Sequence, residues 1–156
     1  MVLTCGPDEK AQVERVTKLV HSSEVVCIQT GLQELGAITQ GASFVVYHNG
    51  GYVHLASAMG APVIALFGVV HPGVWKPLGQ RDQVVYKNIE CSPCYDHTRK
   101  PECYEGDLEC KRVIEVDDIL SCGMVKVITP STRLQALSRL YKNNQFYGTK
   151  LPEILR

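Results

Sequence analysis

Ser43-Phe44-Val45-Val46-Tyr47-His48-Asn49-Gly50-Gly51-Tyr52-Val53-His54-Leu55-Ala56-Ser57-Ala58-Met59-Gly60-Ala61-Pro62-Val63-Ile64-Ala65-Leu66-Phe67 is the stretch that decides the fold class. Phe44 to Tyr47 is an apolar run unbroken by polar residues, and Val63 to Phe67 is a second one. Between them the turn His48-Asn49-Gly50-Gly51 leads into a helix that runs through Leu55 and Ala58 to Gly60. Strands that read as continuous apolar runs, rather than as alternations, belong to parallel sheets with helices on both faces. Strand, helix, strand in this order is the repeating unit of such a sheet.

The same unit extends in both directions. Upstream, Val2 to Cys5 is a strand closed by Gly6-Pro7, and Asp8 can cap a helix with Val13, Val16, Leu19 and Val20 on one face. Val25 to Ile28 is a second strand, followed by a helix marked by Leu32, Leu35 and Ile38 and stopped at Gly41. Downstream, residues 68–83 form a loop rich in Gly and Pro before a strand at Val84-Val85-Tyr86. A cysteine-rich insertion spans about residues 90–112. Asp117 or Asp118 then starts a helix carrying Ile119, Leu120, Met124 and Val127. Thr129-Pro130 reads as cap and first position of a further helix, with Leu134, Leu137 and Leu140 on its face. The expected fold is a doubly wound, mostly parallel α/β sheet of Rossmann type over residues 1–128, with a C-terminal helix and tail at 129–156.

Composition bounds the function. With 16 basic and 16 acidic residues the charges cancel, which removes the electrostatic case for nucleic acid or an anionic membrane surface. At 45% apolar the chain of 156 residues is globular, long enough for one full core. No apolar run reaches the roughly 20 residues of a membrane helix. The start, Met1 to Gly6, lacks the pattern of a signal peptide, so a cytoplasmic location is expected. Seven cysteines, an odd number, argue against a complete disulfide framework. Cys5, Cys27 and Cys122 sit in apolar segments and read as small buried hydrophobes.

Ligands of open α/β sheets bind beyond the carboxyl ends of the strands, where residues 47–54 lie. Gly50 and Gly51 would let backbone N–H groups and the positive end of a helix dipole face a diphosphate. His54, one turn inside the helix, would add a donor; a tight strand-to-helix turn with a half-buried histidine is the plainer alternative. Cys91, Cys94, Cys103 and Cys110 have the residue type for one tetrahedral structural ion, zinc or iron. A pair of disulfides, disfavoured in a cytoplasmic protein, and free thiols in a surface loop are the alternatives, and a closed site of this kind would have no catalytic role. His71 and His97 read as solvated loop residues, and Trp75 as packed beneath its loop.

Asn49-Gly50-Gly51-Tyr52-Val53-His54-Leu55-Ala56, then Gly60-Ala61-Pro62-Val63-Ile64-Ala65-Leu66-Phe67-Gly68, Pro72, Pro77 and Cys91-Ser92-Pro93-Cys94 occur in a fixed order. This order resembles the C-terminal half of the ADP-heptose:lipopolysaccharide heptosyltransferases, glycosyltransferase family 9. Gly6-Pro7-Asp8-Glu9 is similar to the family's Gly-rich turn followed by glutamate. Asn49 stands where the family usually has Asp, Tyr52 where it has Pro, and Val70 where a hydroxyl is usual. The resemblance implies the two-domain GT-B architecture, whose C-terminal domain binds the ADP part of the donor. It implies that Asn49, Gly50, Gly51 and His54 contact the diphosphate and nearby sugar, and that Glu9 contacts the nucleoside; an ordinary acid in the first turn of a helix is the alternative for Glu9.

The family's catalytic base and acceptor loops lie in an N-terminal domain. This chain is therefore expected to supply a donor site, with no catalytic residue and no catalytic cofactor of its own. Its expected partners are an ADP-sugar donor, the missing GT-B domain or a second copy through the C-terminal helix, and the inner membrane peripherally through the acceptor. The other reading is a truncated, non-catalytic module that binds a nucleotide or a protein. A dinucleotide-dependent oxidoreductase is disfavoured, because no G-x-G-x-x-G follows any strand.

Overall fold

A computed structural model of the protein describes residues 1–19, 24–95, 103, 106 and 108–123. Its elements alternate from the first residue: β1 (Val2–Cys5), α1 (Lys10–Leu19), β2 (Val26–Gln29), α2 (Leu32–Gln40), β3 (Val45–His48), α3 (Gly51–Ala58), β4 (Val63–Leu66), α4 (Pro72–Trp75), β5 (Gln83–Val85), α5 (Glu109–Arg112) and α6 (Val116–Leu120). All strand pairs are parallel, as the continuous apolar runs require. They form two ladders, β1-β2 and β3-β4-β5, rather than one hydrogen-bonded sheet among the described residues. The register runs Val2↔Val26 to Cys5↔Gln29 in the first, and Val45↔Val63 to His48↔Leu66 in the second.

The core sits around β4. Val63, Ile64, Ala65 and Phe67 are wholly shielded from solvent, and Val53 and Ala56, three apart on α3, close over them. Thr39 of α2 is also buried; its hydroxyl donates to the Leu35 carbonyl and shares a 2.8 Å hydrogen bond with Tyr52 of α3. That bond satisfies a buried polar group while tying the two helices together. Helix α3 ends in a full Schellman arrangement: Ala61 N–H donates to Ala56 O and Gly60 N–H to Ser57 O. The turn needs Gly60 at φ +81°, a conformation that costs a residue with a Cβ. Beneath this turn Asp82 accepts hydrogen bonds from Ser57 Oγ and the N–H groups of Val63 and Gly79, fixing the start of β4.

Several expectations are corrected. The bonds of α1 start on the Glu9 carbonyl, so Glu9 rather than Asp8 holds the cap position. Val16 and Leu19 of α1 are exposed, and so is Cys27 of β2, which therefore is not a buried hydrophobe. Outward-facing Val2 and Val46 are exposed as well. Their common cause is that, among the described residues, only β4 is covered on both faces. The 68–83 loop contains α4, capped by His71, whose Nδ1 accepts the Gly73 N–H at 3.0 Å; this histidine is structural rather than simply solvated. Trp75 is 41% exposed, so it packs only in part. The cysteine insertion contains α5, and α6 begins at Val116, ahead of the expected aspartates, which occupy its first turn. Val20, His97, Met124, Val127, Thr129, Pro130 and the helix face at Leu134, Leu137 and Leu140 lie outside the described residues.

Candidate functional site

The carboxyl ends of β1, β3 and β4 bring the sequence-selected residues into one region. Asn49 follows directly on β3, and its N–H donates to Leu66 O of β4 at 2.8 Å, which closes the last rung of the ladder, His48↔Leu66. Gly50 then occupies the cap position of α3 without any side-chain capping bond. Val53 N–H is the first to turn back, onto Gly50 O, and no described acceptor takes the N–H groups of Gly51 or Tyr52. An uncapped helix start leaves its donors to solvent or to a ligand.

The two glycines differ in their reason for being there. Gly50 is extended, with a φ of 171°, which any residue adopts. A Cβ built at Gly51 meets nothing within 4 Å. Neither backbone conformation nor packing therefore demands glycine at 51; what its missing side chain preserves is open space above the helix N-terminus. His54 is exposed one turn further along α3.

Tyr47 and His48 line the same rim. Their rings stack at 4.3 Å, and Tyr52 meets Tyr47 edge-on at 4.9 Å. Desolvation, followed by the charge of Lys111, holds the His48 pKa below its ordinary value, with Glu9 pulling the other way. Desolvation also raises the Tyr47 phenol, reinforced by Glu9 and then Tyr52. The charge of Glu9, at the end of β1, thus reaches the end of β3. One of its carboxylate oxygens is already engaged, accepting the Gly6 N–H at 2.9 Å, so the residue braces its own turn while facing the site.

The cysteine segment docks onto the turn after β4. Ser92 is buried and its hydroxyl donates to Gly68 O, while the N–H groups of Cys94 and Tyr95 both donate to Val69 O at 3.0 and 2.9 Å. From the other side comes Cys110, also buried; a Cβ at Gly68 would lie only 2.9 Å from its sulfur. Burial raises the Cys110 thiol, and the nearby Cys91, Cys94 and Cys103 raise it further. Leu108 N–H donates to Cys103 Sγ at 3.3 Å, the kind of bond that supports thiolate ligands. The four thiols share one region and have the donor chemistry of a structural zinc or iron site. Their side chains are not converged: among the described residues, no three or more His, Cys, Asp or Glu groups are placed as a ready ligand set.

Sequence reasoning selected Asn49, Gly50, Gly51, His54 and Glu9, and all five lie at or next to these strand ends. It passed over His48 as a site residue, and Lys111 altogether. His48 had a readable signal, since it is the last residue of a strand. Lys111 had none, because only the docking of the insertion brings it here.

The family model for glycosyltransferase family 9 (heptosyltransferase) matches residues 1–105. The chain is 32% identical over 81 residues to lipopolysaccharide heptosyltransferase 3 of Escherichia coli (strain K12), a match covering 49% of this chain and 24% of that protein. The chain thus spans about a quarter of the curated relative it matches. No solved structure matches it. No helix among the described residues is long and apolar enough to cross a membrane. With a family match over two thirds of its length, across the strands and turns that build the site, the chain belongs to glycosyltransferase family 9.

Proposed function

We propose that this chain forms the donor-binding part of a heptosyltransferase-type enzyme, holding a nucleotide sugar of the ADP-heptose class by its diphosphate at the start of α3. The observation that carries the reading is the uncapped α3 N-terminus: unclaimed N–H groups at Gly51 and Tyr52 beneath the open space at Gly51. Such donors, with the helix dipole behind them, suit a diphosphate. In sugar transfer the same groups would stabilise the diphosphate as it leaves. Asn49 and His54 flank this point, and Glu9 and the Tyr47–His48 stack offer a rim for the nucleoside. None of these residues is assigned the base that deprotonates the acceptor. The acceptor is proposed to be a lipopolysaccharide or related surface glycan, after the name of the matched relative. A cytoplasmic setting is part of the proposal, and seven free cysteines suit a reducing compartment.

Calorimetric titration with ADP, ADP-heptose and UDP at matched ionic strength tests the reading. Selective binding of the adenine nucleotides is expected. Gly51→Leu should keep the melting temperature, since its side chain projects into empty space, yet weaken ADP binding at least about tenfold, roughly 1.4 kcal/mol. His54→Ala should weaken it to a lesser degree. A folded sample that binds none of the three ligands would overturn the donor reading and leave the interaction-module alternative standing.

A further inference from the structure

The β3–β4 register ends at His48↔Leu66, a rung closed by the Asn49 N–H to Leu66 O bond. Gly50 follows that rung by two residues on one chain, and Gly68 follows it by two on the other. Gly68 is where the cysteine segment touches down. A Cβ there would lie 3.2 Å from Lys111 Cγ as well as 2.9 Å from Cys110 Sγ. The aliphatic stem of Lys111 therefore rests on Gly68, just past the end of β4, and its charge reaches His48, two residues before the Gly50 cap of α3. The backbone beneath it is held by its own N–H donating to Leu108 O at 2.8 Å and by the burial of Cys110 next to it. The lysine is exposed, and no described carboxylate forms an ion pair with it. The other charged group facing His48 is Glu9, an anion that a phosphate would avoid.

We propose that Lys111 is a phosphate-binding residue of the donor site, delivered beside the α3 N-terminus by the anchoring of Cys110 on Gly68. The inference rests on the donor reading above. It gives the cysteine segment a second task besides its own stability: Ser92, Cys94, Tyr95 and Cys110 pin it to the turn after β4, so that one cation stands at a fixed place. Lysine acts on phosphate as a compact point charge, which suits a position reached by a flexible stem rather than by a fork.

The test compares ADP with adenosine, which lacks the phosphates, for wild type, Lys111→Gln, Lys111→Arg and Lys18→Gln. Lys18, in the last turn of α1, makes the same charge change away from the strand ends. Lys111→Gln is expected to weaken ADP about tenfold, to leave adenosine unchanged, and to flatten the salt dependence of ADP binding. Lys111→Arg should restore most of the affinity, and Lys18→Gln should match wild type. The proposal is overturned if Lys111→Gln binds ADP as wild type does, or if it loses ADP and adenosine in equal measure. A wild-type chain that binds no ADP removes the donor reading itself, and this assignment with it.

Discussion

Gly51 and Gly68 show how differently two glycines of one site can be constrained. At 68 a methyl group would collide with the Cys110 sulfur at 2.9 Å and press on Lys111 Cγ at 3.2 Å. Cys110 is buried, so its sulfur cannot give way cheaply. Gly68→Ala is expected to cost about 1–3 kcal/mol, as overpacking usually does, visible as a lower urea midpoint with an unchanged slope. Gly51→Ala should leave the midpoint within roughly 0.5 kcal/mol of wild type, because its Cβ meets nothing. An unchanged midpoint in Gly68→Ala would mean that the cysteine segment is not docked on β4 as described. The contrast separates a glycine kept for packing from one kept for a ligand, a distinction that sequence alone does not draw.

Among the elements, α6 is stabilised by charge placement rather than by burial, for none of its residues is buried. Glu115 and Asp118 form a capping box, and Asp118 also accepts a 2.6 Å hydrogen bond from Lys87 beside β5. The Lys87 bond first, and the Glu115 N–H second, hold the Asp118 carboxyl below the usual carboxylate range. A depressed folded-state pKa means that the unfolded chain takes up the proton first. The contribution of Asp118 is therefore complete above the ordinary carboxylate pKa and is lost as pH falls through the folded value. Asp118→Asn should lower the melting temperature at roughly pH 6 and converge on wild type towards roughly pH 3, in thermal scans at matched salt. A constant gap across that range would count against this linkage. The order of β1 to β4 and the helices between them was legible because apolar runs, turn glycines and the 3.6-residue spacing agree there. Helices α4 and α5 were not, since four residues carry too little periodicity to read. The exposed side of α1 was misread because an apolar stripe says which face would be buried, not whether a partner covers it.

In the whole molecule, the cysteine segment joins stability to binding. Its two arms meet on the turn after β4: Ser92, Cys94 and Tyr95 bond to Gly68 and Val69, and Cys110 packs on Gly68. Tyr95 also packs against the core around β4, and Cys110 is the one buried residue of α5. A segment anchored at two arms gains from a covalent or metal crosslink, because fixing a chain costs about 1–2 kcal/mol of entropy per residue. Four thiols of suitable type are close at hand, and an ion drawing their sulfurs together would close both arms at once. The purified chain is accordingly expected to carry about one equivalent of zinc or iron by elemental analysis. Removing it with a chelator under reducing conditions should lower the melting temperature. If Lys111 is delivered by this segment, metal removal should also weaken ADP more than adenosine, the same pattern as Lys111→Gln. Stability lost without that selectivity would confine the metal to holding the fold. A metal-free chain that melts and binds unchanged after chelation would leave Cys110 packing, and not coordination, as what holds the lysine in place.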